Sequence, residues 1–301
     1  MRKIVSWVLL GLGSFLLAAA IVAVTWAGDR VERTPLNTDS TTHLEGTATV
    51  LPAGPGDYAI RATSFTRADS DASDDTVIVW ENHSCLVLDI PDTPDCGDQG
   101  VGDDADPNVV SISSDYFATD RNTGIAVSDA DYLPAEVATE HEGLVNKFPF
   151  RTEKKDYDYW DGTIGQTVPA TYEDTEEIDG LEVYRFVMSV DEEPAEIADG
   201  VEGTYSNDTT MWVEPKTGAI IDQEFHDVRA VDGTPVLDLE MAFTDDQVAD
   251  YVADAEDNIF LIDLASTYVP WLGFVGGPIL IILGILGLRS DARRKSAPAA
   301  A

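Results

Sequence analysis

The stretch IVSWVLLGLGSFLLAAAIVAVTW, residues 4–26, is 23 residues without a charge, and its reading decides the architecture. A helix rises about 1.5 Å per residue, so this run covers the roughly 30 Å hydrocarbon core of a bilayer. A second run, VPWLGFVGGPILIILGILGL at 269–288, is 20 residues without a charge and can span it too. Between the two, charges recur every few residues. Arg2 and Lys3 precede the first run, and Arg289, Arg293, Arg294 and Lys295 follow the second. Basic residues beside span ends are retained on the cytoplasmic side. The expected layout is therefore a cytoplasmic N-terminus (1–3), a membrane helix (4–26), an extracytoplasmic domain (27–267), a second membrane helix (268–288) and a basic cytoplasmic tail (289–301). The implied location is the cytoplasmic (plasma) membrane with both termini inside. Ala18, Ala19, Ala20 and Ala27 supply the small residues of a signal-peptide cleavage site, but secretory cores run only about 7–15 residues. A run of 23 reads instead as an uncleaved signal anchor.

Charge separates the parts as sharply as hydropathy does. Of 18 basic and 56 acidic residues, six basic ones and Asp291 lie in the tails, which leaves 12 basic and 55 acidic residues for the 241 between. A net charge near −43 argues against nucleic acid, which needs a basic face, and favours cations, basic partners or a high-salt medium. Only six lysines occur in the chain, so the acid reads first as solvation. Cys85 and Cys96, the only cysteines, both fall in the exported segment, where an even number implies a disulfide closing a short loop.

Within the domain, short β-branched and aromatic segments alternate with turn clusters such as PAGPG at 52–56. Strands are expected at 46–51, 57–66, 76–81, 84–90, 109–116, 165–174, 181–190, 209–214, 219–229 and 236–243. The alternation is clearest where Glu182 and Arg185 interrupt Leu181, Val183, Tyr184 and Phe186. The pattern predicts an α+β fold: a β-rich antiparallel domain with one solvated face, between two terminal transmembrane helices. Thr244-Asp245-Asp246-Gln247 has capping-box form, with an amphipathic helix over 245–267 behind it and a shorter helix over 135–147. Trp26, Tyr268 and Trp271 are placed as interfacial anchors. Gly273 and Gly277 form a GxxxG face, and Gly11 and Gly13 thin the first span. Pairing of the two spans and homodimerisation both fit these glycines.

Asp69, Asp71, Ser73 and Asp75 begin like a calcium loop with oxygen ligands at alternate positions. Positions six and twelve of that loop, however, are Asp74 and Trp80 rather than glycine and a carboxylate. A solvated acidic loop is the plainer reading, both here and at 92–106. His43, His83, His141 and His226 are scattered, and no HExxH, GxSxG, Walker or dinucleotide motif occurs. No catalytic residue, cofactor or metal is expected, calcium excepted. Asn82-His83-Ser84 and Asn207-Asp208-Thr209 are formal glycosylation acceptors.

Several stretches together resemble the PorA family of actinobacterial envelope proteins. They are Leu44-Glu45-Gly46-Thr47-Ala48, Lys147-Phe148-Pro149-Phe150, the run TEKKDYDYWD at 152–161, Gly180-Leu181-Glu182-Val183-Tyr184-Arg185-Phe186 and Trp212-Val213-Glu214-Pro215-Lys216-Thr217-Gly218. With the helix–domain–helix layout, the resemblance covers nearly the whole chain. It implies a two-span membrane protein labelled a porin and otherwise a domain of unknown function. A membrane barrel, though, needs an outward apolar band and aromatic girdles, whereas these strands carry acid. The expected function is a non-enzymatic, membrane-anchored envelope protein in assembly or in lipid or solute handling, with the bilayer, lipids or cationic ligands as partners. The alternatives are a channel formed by oligomerisation, a lipid-tunnel protein laid out like the scavenger receptors, and an extracytoplasmic enzyme.

Overall fold

The computed structural model describes residues 2–50, 56–91, 93, 96, 108–129, 131–133, 140–198 and 200–295. They form two compact units, Thr34–Glu256 and Met1–Arg33 with Asp257–Ala301.

The first unit is one antiparallel sheet of ten strands: β1 (Asp39–Val50), β2 (Asp57–Asp69), β3 (Val77–Leu88), β4 (Val109–Asp120), β5 (Tyr157–Asp161), β6 (Gln166–Ile178), β7 (Leu181–Ala198), β8 (Val201–Val213), β9 (Ile220–Val231) and β10 (Thr234–Phe243). Their order, β4-β3-β2-β1-β10-β9-β8-β7-β6-β5, is two meanders joined where β1 pairs with β10, Leu44 opposite Phe243. With the terminal helices this is an α+β protein.

The sheet curls until its edges meet. Ala126 bridges to Thr119 on β4, Ile125 to Leu144, and Leu144 in turn to Tyr159 on β5. Val127 N–H donates to Ala118 O (2.8 Å) and Trp160 N–H to Leu144 O (2.7 Å). Two short chain segments thus satisfy edge groups that would otherwise template aggregation. His141 fills the same seam, its ring 5.3 Å from Phe117 and 5.0 Å from Trp160, with Nε2 2.8 Å from Asp115 Oδ2. Inside the curl, one cluster gathers Leu44, Ile60, Leu86, Leu239 and Met241, and a larger one gathers Phe148, Phe186, Met188, Met211 and Val213.

The structure differs from the sequence expectations in identifiable places. The strands expected at 76–81 and 84–90 merge into one, β3 (Val77–Leu88), because Asn82 donates its side-chain amide to Ser64 and Thr66 on β2 instead of making a turn. The short β5 was not expected at all. Of the helix expected over 135–147, residues 135–139 lie outside the described residues, and 140–147 are irregular because Leu144 is committed to the bridges at the seam. Cys85 and Cys96 are disulfide-bonded, with Cα atoms 6.0 Å apart.

Helix α3 (Asp245–Asp263) starts on Thr244, whose Oγ1 accepts the Gln247 N–H at 3.2 Å. The return leg of the expected capping box is redirected. Gln247 Oε1 accepts the His43 N–H of β1 (2.9 Å), and Thr244 N–H donates to His43 O (3.2 Å). Tyr251 adds a hydrogen bond to Thr42 and an edge contact to Phe243, so the first turns of α3 are stapled to the sheet.

In the second unit, α1 (Arg2–Val22) continues through a π-helical turn (Ala23–Ala27) into α2 (Gly28–Val31). From Leu264 the other helix passes a π turn (Leu264–Tyr268), α4 (Val269–Trp271), a second π turn (Leu272–Gly276) and α5 (Gly277–Lys295). Prolines explain both of the latter turns. Pro270 and Pro278 have no N–H for the carbonyls of Ser266 and Phe274, which lie inside those turns. In the first helix Thr25 Oγ1 donates to Ile21 O, and the Gly28 N–H reaches back five residues to Ala23 O.

Two turn glycines separate backbone strain from steric conflict. Gly218 (φ +72°) and Gly233 (φ +73°) both adopt the left-handed conformation. A Cβ on Gly218 would collide with the carbonyl oxygens of Phe148 and Pro149, whereas one on Gly233 would meet nothing within 4 Å. Gly233→Ala should cost about 1 kcal/mol, the strain alone. Gly218→Ala should cost at least about 2 kcal/mol, since the docked Phe148 segment must also move. Urea unfolding of the detergent-solubilised protein, followed by β-sheet circular dichroism, checks this. Equal costs would refute the collision.

Candidate functional site

Glycine builds the first candidate surface, the seam between the two apolar helices. A Cβ on Gly13 would lie 2.6 Å from Gly277 O, and one on Gly277 would lie 2.9 Å from Gly13 O. Gly273 meets Ala20 and Leu16, Gly284 meets Leu10 and Ser6, and Gly287 meets Ser6. Any side chain here would push the backbones apart, which is why small residues carry the seam. Gly11 takes no part, with nothing within 4 Å of its Cβ direction. Trp26, Tyr268 and Trp271 leave more than half of their surface exposed, and the Arg30 guanidinium stands 5.1 Å over the Trp26 ring.

The second surface is acidic. β1, β10, β9 and β8 turn alternate residues outward, and their twist shapes an open groove of about 430 Å³ lined by Glu45, Glu240, Glu224 and Asp208. His226 shares the groove, its Nε2 2.8 Å from Asp238 Oδ1. Four carboxylates and one partnered imidazole give a surface that attracts cations and repels anions. On the inward face of the same strands, Arg229 makes a two-pronged pair with Asp227 (3.1 and 3.0 Å), and Tyr205 Oη donates to Asp161 (3.2 Å). Burial pushes the Asp227 carboxyl up, while the Arg229 hydrogen bonds oppose the shift. Burial beside Asp161 raises the Tyr205 phenol.

Two of the motif segments meet at a third place. Glu214 is 3 % exposed, and its carboxylate accepts the N–H groups of Lys216 and Thr217 and the Thr217 hydroxyl, which fixes the tight turn after β8. Against that turn docks the Lys147-Phe148-Pro149-Phe150 segment. Phe148 N–H donates to Gly218 O (2.9 Å) and Thr152 N–H to Pro215 O (2.7 Å). Phe148, fully buried, stacks 4.5 Å from Phe186. Lys147 Nζ lies 3.7 Å over the Phe150 ring and 3.2 Å from Thr34 Oγ1, the first residue of the unit. Arg121 pins the same residue, with Nε 2.9 Å from Thr34 O. The place is a structural joint, and its unusual group is the lysine, whose amine burial pushes down to about 7 despite the opposing pull of Asp120.

Of the sequence-predicted calcium residues, Asp69 and Ser73 are committed to the backbone of their own loop. Asp69 Oδ1 accepts the N–H groups of Asp71 and Ala72, and the Ser73 hydroxyl bonds Asp69 O and the Val79 N–H. The neighbouring Asp74 accepts from Thr76 and Val77 N–H and from Tyr132 Oη; these bonds hold its carboxyl well below the usual range. Asp71 and Asp75 are exposed. Among the described residues, no group of three His, Cys, Asp or Glu could hold a metal ion. The second acidic run, 92–106, lies outside the described residues except for 93 and 96. Asn82 is half-buried within β3, and Asn207 is 7 % exposed on the inward face of β8, so neither is presented as a loop acceptor. Sequence reasoning did not single out Lys147 or the Asp227–Arg229 pair, because a lone lysine and a charged pair two residues apart on a strand look like surface.

Lys147 gives a test with a definite sign. Its folded pKa lies below the unfolded value of 10.5, so the folded state binds fewer protons between about 7 and 10.5, and stability rises with pH over that window. From pH 7 to 9 the gain should reach up to about 2 kcal/mol. Lys147→Met should abolish that slope and stabilise the protein most at pH 7. Urea unfolding at pH 7, 8 and 9 measures it, and parallel slopes for the two proteins would exclude a depressed lysine.

No curated protein matches this chain. The family model described as Porin PorA matches residues 5–286, from the first apolar helix through the sheet to the middle of α5. A match of that extent, over two membrane-length helices and the whole sheet, makes this chain a member of the porin PorA family.

Proposed function

We propose that the chain is a non-enzymatic envelope protein of the cytoplasmic membrane. Two helices anchor it, and an acidic β-domain works outside the cytoplasm in envelope assembly or in the handling of lipid or cationic solute. The observation that carries this reading is the division of labour between the two units. All membrane-length hydrophobicity lies in the glycine-packed helices, and the sheet points Glu45, Asp208, Glu224 and Glu240 outward. Carboxylates on an outward face belong in water, because a charged side chain at membrane depth costs several kcal/mol. Arg and Lys beside both span ends support the orientation. The reading assigns no catalytic residue and no cofactor.

The family description favours a second reading, a channel assembled from several copies. Purified protein in planar bilayers separates the two. Discrete conductance steps whose frequency rises steeply with protein concentration would establish the channel, and their absence leaves the anchored-domain reading.

Orientation is tested by single cysteines at Ser113, exposed on β4, and at Ser290, near the end of α5. The native cysteines are disulfide-bonded and give no background. A membrane-impermeant maleimide on intact cells should label the Ser113→Cys protein and spare the Ser290→Cys protein until the cells are permeabilised. The reverse pattern would invert the topology.

A further inference from the structure

We infer that the membrane unit holds one phospholipid of the extracytoplasmic leaflet, with an acyl chain lying in a groove between the two helices. This rests on the reading that both helices cross the bilayer with residues 27–267 outside.

The groove encloses about 640 Å³, with Phe15, Ala19 and Ala23 on one wall and Leu261, Ala265 and Val269 on the other. Every lining side chain is apolar. Its size falls within the range of small-molecule sites, about 300–1,000 Å³. The backbone explains why it is open. The seam is tight at Gly277 against Gly13 and at Gly273 against Ala20. Beyond that point each helix enters a π turn, Ala23–Ala27 in one and Leu264–Tyr268 in the other. A π turn carries an extra residue and slips the packing face around the axis, and such turns gather at functional sites. With alanines lining one wall, the helices leave a trough that their own side chains do not fill.

Depth and chemistry select the occupant. Phe15 is the twelfth of the 23 uncharged residues and so stands near the bilayer midplane, while Trp26 ends the run. That distance is about 17 Å of helix, close to the roughly 15 Å of one leaflet's hydrocarbon. Water finds no hydrogen-bond partner in such a trough. An unfilled one forfeits dispersion contacts along its whole length, and a lipid tail restores them. At its outer end, Arg30 adjoins the lining residue Val31 in sequence and stands over the Trp26 ring, and Arg33 follows two residues on. This end of the helix holds two of the twelve basic residues between the spans, interleaved with Asp29 and Glu32, and the Arg30 guanidinium at the depth of Trp26 suits a lipid phosphate.

The test uses the full-length protein in vesicles of phosphatidylcholine and phosphatidylglycerol. They are doped with phosphatidylglycerol carrying a diazirine midway along one acyl chain, and photolabelled peptides are mapped by mass spectrometry. Labelling at Ala19, Ala23 and Ala265 should exceed, several-fold per residue, that at the lipid-exposed Ile279, Ile282 and Leu286. Ala19→Phe combined with Ala265→Phe should remove the excess and leave Ile282 labelling unchanged, and Arg30→Gln with Arg33→Gln should lower it. Equal labelling of groove and exposed faces in the unmodified protein would reduce the lipid to ordinary solvent and overturn the proposal. So would crosslinking of Ala19→Cys between two copies with no groove labelling, which would make a second chain the occupant. No label on either helix would instead remove the membrane-crossing reading, and the proposal with it.

Discussion

Backbone N–H and C=O groups cannot be left unpaired inside hydrocarbon, and charged side chains cannot face it. From this constraint the rest of the molecule follows. A chain with 55 carboxylates between its apolar runs can cross a bilayer only where the carboxylates are absent, and that leaves two stretches, each of which forms a helix. The strands, freed from the membrane, obey the ordinary rule of a water-soluble sheet. Leu44, Ala48, Leu239 and Met241 point inward, Glu45, Thr47, Asp238 and Glu240 outward, and the pairing of β1 with β10 keeps the two sets in register.

Closure of the sheet answers a related demand. Ten strands in open order would expose unpaired groups along β4 and β5. Here single-residue bridges through Ile125 and Leu144, with His141 set between Phe117 and Trp160, bring those edges together. The segment that does this also carries Lys147 and Phe148, which dock on the Glu214–Thr217 turn. Two motifs far apart in sequence are therefore one structural object. The Glu214 carboxylate shapes the turn, the turn presents Gly218, and Gly218 admits the Phe148 backbone because it has no side chain.

How much of this was legible depended on how local each signal was. The two spans, the acidic domain and the run from Leu181 to Val190 rest on composition and short-range alternation, and the strands found there agree in type with the reading. Asn82-His83 looked like a break between strands because its partners, Ser64 and Thr66, are on another strand and invisible locally. The segment 135–147 has helical composition, but Leu144 bridges Ile125 on one side and Tyr159 of β5 on the other, pairings that one isolated helical turn cannot match. Thr244 was recognised as a cap, yet Gln247 turned to His43 of β1 rather than back to its own cap, a choice set by tertiary packing. The π turns at Leu264–Tyr268 and Leu272–Gly276 were written in Pro270 and Pro278. The turn at Ala23–Ala27 has only Thr25 to announce it, and the groove that these turns help to open depends on both helices at once.

The family description raises the question of what a pore made from this chain would be. The strands cannot wall it within a bilayer, because the charged outward face of β1, β10, β9 and β8 would meet lipid. The helices of one copy leave no lumen, since Gly13, Gly273 and Gly277 bring them into backbone contact. Several copies would have to assemble through the faces left over. On α5 those faces present Ile279, Ile282, Leu283 and Leu286, and on α1 Val5, Val8, Leu12 and Phe15. An apolar constriction of that kind conducts only when wetted, and it gates by dewetting. Selectivity would then fall to the charges nearest any conducting path, and with 12 basic against 55 acidic residues between the two apolar runs those would concentrate cations and exclude anions. A porin of this family, built as this chain is built, would be a cation-preferring assembly of helices rather than a barrel.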